Sequence, residues 1–282
     1  MAALAAIVAL ALIALAAPLV TDLVGAPDPT EQNRAALDEF GSAAAPSKDN
    51  FLGTDGDGRD VFSRIVHGSR VSLTVALVAT GIALALGTAI GLLAGYRGGW
   101  TDSLLSRGID VMLAFPVLLF AVGVAGACDT PEGCAGGTLK PGMTTVIVVI
   151  GVTTFPYFAR LVRGQVLSLR EREWVDAARS IGASDRRIMF REILPNLAAP
   201  LIVYATLVIP ANILLEASLS FLGVGIEEPN PSWGAMIADA VDTFDTAWWY
   251  MLFPGLALLA TVLAFNLLGD GLQDALDART AR

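Results

Sequence analysis

The sequence predicts an all-α integral membrane protein with six transmembrane helices and both termini on the inner side. Three observations predict it. The 282 residues are 55% hydrophobic and 16% charged, with mean hydropathy +0.64, whereas soluble chains run about 45–50% apolar and about 25% charged. Apolar runs recur at residues 2–20, 71–95, 111–127, 143–158, 197–222 and 248–268, most of them near the roughly 20 residues that cross a hydrocarbon core. The cations are unevenly placed. With an inner N-terminus, Arg97, Arg107, Arg160, Arg163, Arg170, Arg172, Arg179, Arg186, Arg187, Arg191, Arg279 and Arg282 fall inside or at the inner border. Arg34, Lys48, Arg59, Arg64, Arg70 and Lys140 stay outside, the asymmetry that orients membrane chains.

Each element has its own signal. The first run precedes the first cation, Arg34, so it lacks the basic start of a cleaved signal peptide and reads as a first span over residues 1–24. Residues 25–70 form an outer segment: Pro27, Pro29, Gly41 and Pro46 mark irregular chain, and Glu39 is among its acids. Val61, Ile65, Val66 and Val71 recur near helical spacing, predicting an amphipathic helix that leads into span two. Residues 71–282 are the five-helix core. Span two carries Ala83, Gly87, Gly91 and Gly95 four residues apart, a close-packing seam that serves either the bundle or a dimer. Span three is short, and residues 103–110 extend it. Pro116, Pro156, Pro210 and Pro254 lie in or near the middle of four runs, where each removes a backbone donor and favours a bend.

Several chemistries are excluded. A net charge of −9 argues against nucleic acid, which needs a clustered basic surface. Two cysteines and one histidine, His67, assemble no familiar zinc site. Neither lysine follows a phosphate-cradling glycine loop, and no nucleophile-elbow or zinc-protease motif occurs. Asp55-Gly-Asp-Gly opens like a calcium loop, but Arg59 and Val66 stand at ligand positions. Cys128 and Cys134 flank Pro131 and Gly133 in an outer loop, where a disulfide and two free thiols are both open.

The inner connection, about residues 165–196, carries the function. Glu173 to Ile181 has helix-forming composition, Gly182 stops it, and Ser184 or Asp185 can cap a second short helix. Pro195 suits the first turn of the next span. Ile188, Met189 and Phe190 would then be an apolar cluster on a charged surface, a docking knob for a soluble partner.

At Asp176-Ala-Ala-x-x-x-Gly182, followed after nine residues by Glu192-Ile-Leu-Pro195, the chain resembles the EAA loop of binding-protein-dependent ABC importer permeases. Asp176 stands where the family has Glu, and Glu192 where it has an aliphatic residue. The resemblance extends through Leu52-Gly-Thr-Asp-Gly-Asp-Gly-Arg-Asp-Val61, Ala94-Gly-Tyr-Arg-Gly-Gly99, Leu219-Ser-Phe-Leu-Gly223 with Pro231-Ser-Trp-Gly234, and Asn266-Leu-Leu-Gly-Asp-Gly-Leu272. It points to the second permease subunit of the dipeptide/oligopeptide branch, with type I importer architecture in a bacterial-type cell membrane.

The resemblance implies a homologous permease partner, two cytoplasmic ATPase subunits that hold ATP and Mg, an extracytoplasmic solute-binding protein and a peptide substrate. This chain itself would hold no cofactor and catalyse nothing. The coupling residues it implies are Asp176, Ala177, Ala178, Gly182, Ala183, Ser184, Ile188, Met189, Phe190 and Pro195. Nickel complexes, haem or another small solute are alternative cargoes.

Glu216 is a carboxylate within an apolar span, at a cost of roughly 2.5–3.5 kcal/mol on insertion scales. It either lines a pathway with Pro210 and Pro156, contacting a peptide amino terminus or gating, or is a paired structural group. A proton-coupled carrier would need more such relays, and an intramembrane hydrolase would need a paired nucleophile and base; neither pattern is visible.

Overall fold

The computed structural model describes residues 2–38, 41–130 and 132–280, with side chains from residue 3 to residue 275. Glu39, Pro131, Arg282 and the Arg279 side chain lie outside these limits. No β-strand occurs among the described residues, only isolated bridges joining Thr54 to Asp60 and Cys134 to Leu139. Four helical stretches are long and apolar enough to cross a membrane: Val61–Arg97, Met143–Leu169, Asp185–Phe221 and Trp248–Ala275. Counting each of two bent pairs as one span brings the number to six.

The bent pairs modify two of the expected spans. Helices α1 (Ala2–Leu15) and α2 (Ala17–Val24) meet at 80°. Pro18 sits in the first turn of α2, where its ring would clash with the carbonyl of Ala14 in a continued helix. Helices α4 (Gly99–Ala114) and α5 (Val117–Cys128) meet at 89°. Phe115 between them is extended, with ψ 137°, the conformation imposed on a residue preceding proline. Pro156, Pro210 and Pro254, by contrast, remain inside uninterrupted helices.

Helix α3 (Val61–Arg97) absorbs both the amphipathic stretch and span two, and Asp60 caps it by accepting from the Ser63 amide at 2.7 Å. Helix α6 (Met143–Leu169) lies along it. The small-residue seam faces this neighbour. A Cβ on Gly91 would stand 2.5 Å from the Ala159 carbonyl oxygen and 2.8 Å from Val162 Cβ, and one on Gly95 2.8 Å from Val166 Cβ. Bundle packing, not a dimer seam, therefore accounts for these glycines.

After α7 (Glu173–Ser180), the turn α8 (Asp185–Arg187) runs through a π-helical stretch, Ile188–Ile193, into α9 (Leu194–Phe221). Helices α10 (Trp233–Asp239) and α11 (Trp248–Thr280) complete the chain. Two polar ties run between α3, α6 and α9. Asn212 accepts from Thr154 at 3.0 Å and donates to Thr80 at 2.9 Å. One turn further along α9, Glu216 is fully buried and accepts from Ser72 and Ser220, each at 2.8 Å.

The outer segment folds back on the bundle. Trp249 donates to the Thr54 carbonyl at 3.2 Å, and Trp233 to that of Ile65 at 3.1 Å. Ser232 caps α10, and Gly234 lies against the Ala217 backbone too closely for a side chain. These contacts account for Pro231-Ser-Trp-Gly234.

Candidate functional site

The segment between α6 and α9 is built as a helical projection from the bundle. Helix α7 ends in a left-handed glycine, Gly182, at φ +81°. The Gly182 amide donates to the Arg179 carbonyl at 2.9 Å and the Ala183 amide to that of Ala178 at 3.0 Å. This is a Schellman closure, which satisfies the last carbonyls of a helix. No heavy atom lies within 4 Å of where a Gly182 Cβ would be, so the backbone conformation, not crowding, calls for glycine. Ser184 then caps the next turn, accepting from the Arg187 amide at 3.4 Å.

The projection is fastened to the C-terminal ends of α3 and α6 and the start of α9. Val175, Ile188 and Ile193 are fully buried in one cluster with Leu92, Tyr96, Val162, Val166 and Leu197. Tyr96 donates to Asp185 at 2.8 Å, and the Arg179 guanidinium lies 6.0 Å from the centre of the same ring. Arg170 donates to the Gly95 carbonyl at 2.9 Å. Tyr96 and Arg170 were not among the expected site residues, and Asp185, expected as an alternative cap to Ser184, instead accepts from Tyr96. The Ala94-Gly-Tyr-Arg motif marks where two of these contacts fall, and only the fold supplies their partners.

Exposure differs from the expectation. Ile188 is buried, Met189 is half-buried, and only Phe190 of that trio is exposed. Ile188 and Ile193, at the two ends of the π-helical stretch, pack onto the bundle. Met189, Phe190 and Pro195 line an apolar groove of about 760 Å³ with residues of α3 and α9. The most exposed large apolar side chain of this segment is Ile181, at 80%, with Trp174 at 38%. Asp176, Ala177, Gly182 and Ser184 are exposed beside them, and Ala178 and Ala183 are half-buried. Asp176 pairs with Arg179 at 3.0 Å.

Glu216, Pro210 and Pro156 are buried between helices and line none of the described cavities. Cys128 and Cys134 are joined by a disulfide at the C-terminal end of α5.

At the opposite face, an ion-pair network joins the outer segment to the loop after α9. The Asp55 carboxylate accepts from the Asp57 and Arg59 amides, both at 2.9 Å, and from Arg59 Nε at 2.7 Å. It turns Asp55-Gly-Asp-Gly-Arg into an arginine-closed loop rather than a calcium site. Glu228 is gripped by Arg59 at 2.6 Å and by the fully buried Arg64 at 2.9 Å. Burial acts to raise the Glu228 pKa, but the two guanidiniums outweigh it and hold the carboxyl below its ordinary value.

Among the described residues the chain is a bundle of helices long and apolar enough to cross a membrane, with one helical projection at one end. The fold matches chains from the inward-facing MetNI methionine ABC transporter structures. One of these has a TM-score of 0.61 at 18% identity, over 75% of this chain and 95% of that one. A second MetNI crystal form gives 0.59. The chain belongs to the binding-protein-dependent transport system inner membrane components, whose family model matches residues 87–282.

It is 42% identical to a dipeptide transport system permease protein, DppC, of Alkalihalophilus pseudofirmus, over 95% of this chain and 82% of that protein. It is 43% identical to a glutathione transport system permease protein, GsiD, of Pectobacterium atrosepticum, over 83% and 74%. A di/tripeptide permease protein of Pseudomonas aeruginosa is 42% identical over 89% and 80%. The chain is thus a non-catalytic, multi-pass inner-membrane permease subunit of an ABC transport system.

Proposed function

We propose that this chain is one of two permease subunits of an ATP-driven importer of short peptides, and that residues 173–187 couple it to ATPase subunits. The observation that carries the coupling role is the mechanical continuity of the projection. Ile181 stands exposed at its tip, its base is locked to α3 and α6 through Val175, Ile188 and Tyr96, and it runs without interruption into α9.

A push on the tip would be carried into α9 and, through the Asn212 and Glu216 ties, into α3 and α6. Glu216 serves here as a structural tie. With both termini inside, the Arg-rich projection meets the cytoplasm. ATP and Mg would be held by two partner ATPase subunits, and an extracytoplasmic binding protein would deliver the cargo to the outer face. The relatives' names support peptide as the cargo class.

The test is affinity isolation of the chain from its native membrane, followed by reconstitution and uptake of labelled di- and tripeptides. Co-isolation of a second permease and ATPase subunits, with uptake that needs ATP, supports the reading. Transport by the chain alone without ATP would overturn it.

A further inference from the structure

A charged pocket of about 400 Å³ opens between α4 and α6, lined by Asp102, Ser106, Arg107, Asp110, Arg160 and Arg163 among others. Two of its arginines are engaged. Arg163 forks onto Asp102, with Nη2 2.7 Å from Oδ2, and Ser106 donates to the same carboxylate at 3.1 Å. Arg160 meets Asp110 through one nitrogen at 2.8 Å, with both side chains more than half exposed. Arg107 makes no ion pair or side-chain hydrogen bond among the described residues. Three guanidiniums against two carboxylates leave the pocket one positive charge in excess.

The helix face beside Arg107 is apolar. Trp100 is 79% exposed, Leu104 56% and Val111 60%, and their spacing puts them with Arg107 on one side of α4. Tryptophan at the end of an apolar helix face is enriched at the membrane–water boundary, the level at which this face would place Trp100. Exposed charges at that level cannot face acyl chains alone and must reach headgroups, water or protein. An unpaired cation, a spare guanidinium fork on Arg160 and an adjoining apolar face complement one ligand chemistry: a phosphate monoanion attached to hydrocarbon.

We propose that this pocket binds the phosphate of an anionic membrane phospholipid, with Arg107 and Arg160 on the phosphate and the Trp100, Leu104 and Val111 face along an acyl chain. The site depends neither on cargo nor on ATP, so its failure would leave the importer reading untouched.

The test uses the full chain, with whatever subunits accompany it, purified in mild detergent. Thermal unfolding is followed during titration with short-chain phosphatidylglycerol, phosphatidylcholine or inorganic phosphate. The expected result is saturable stabilisation by phosphatidylglycerol alone. Arg107→Ala should weaken it about five-fold, the loss of about 1 kcal/mol per cation near a charged headgroup, and Arg107→Lys should largely retain it.

Equal stabilisation by both lipids, or an Arg107→Ala response like that of the unmodified chain, would overturn the proposal. So would an equal effect of inorganic phosphate, which would make the site one for free anions. Should Arg107→Ala fail to fold, Arg107→Gln gives the same comparison. Absence of phospholipid phosphorus from the purified complex would also contradict the site, leaving the face to the partner permease.

Discussion

The Tyr96 hydroxyl donates to Asp185 at 2.8 Å, linking residues 89 apart in sequence. One belongs to the C-terminal end of α3, the other to the projection between α7 and α9. This bond, with Val175 and Ile188 buried beneath it, makes the projection part of the bundle rather than a loop hung from it.

Gly182 is the joint of that projection. Replacing it with valine puts a β-branched residue in the left-handed region, at about 1–2 kcal/mol. The strain falls on an exposed turn, so the six spans are expected to insert normally. Peptide-dependent ATPase stimulation and uptake should both fall; paired measurements in proteoliposomes check this, and normal values for both would contradict the joint's role.

Glu216 anchors one of the interior ties, so its removal should act on stability. Glu216→Ala leaves the Ser72 and Ser220 hydroxyls without their acceptor, expected to cost about 1–3 kcal/mol. Glu216→Gln keeps an acceptor and should cost less. Thermal unfolding of the two variants separates a tie from a gate: a gate would lose transport in both variants at unchanged stability.

Gly91 tests the seam. With Ala159 and Val162 so near, Gly91→Leu would have to part α3 from α6. Overpacking of this kind costs about 1–3 kcal/mol and occasionally more. Reduced yield and a lower unfolding temperature are expected, whereas the same change at Gly81, where a Cβ meets nothing within 4 Å, should be tolerated.

Glu228 gives the outer clamp a pH dependence. Its folded pKa lies below the ordinary 4.5, so its contribution is fully present above that value and is lost as pH falls through the folded pKa. Protease resistance of the outer segment should decline as pH drops from neutral to about 3. In Glu228→Gln the segment should be weakened at neutral pH, and the acid-dependent loss should be smaller.

Much of this architecture was legible in the sequence because lipid imposes few solutions: apolar runs gave the spans, and Gly182 with Ser184 gave the break and cap in the projection. Phe115 before Pro116 carried the signal for the broken third span, but a composition scan reads across it. The burial of Ile188 was hidden because the residues it packs with, Leu92, Tyr96, Val162 and Val166, are distant in sequence. The Glu228 clamp was hidden because its partners Arg59 and Arg64 lie 169 and 164 residues away. Sequence alone does not decide whether Cys128 and Cys134 pair, and the structure joins them.

With the tip of the projection engaging ATPase subunits, as proposed, Ile181→Asp should break that contact. The variant puts a charge on a side chain that is 80% exposed, so insertion and pairing with the second permease should persist. Affinity isolation of the variant is expected to recover the second permease, lose the ATPase subunits and show no ATP-dependent peptide uptake. Recovery of ATPase subunits in normal proportion, with uptake at the unmodified level, would contradict the account.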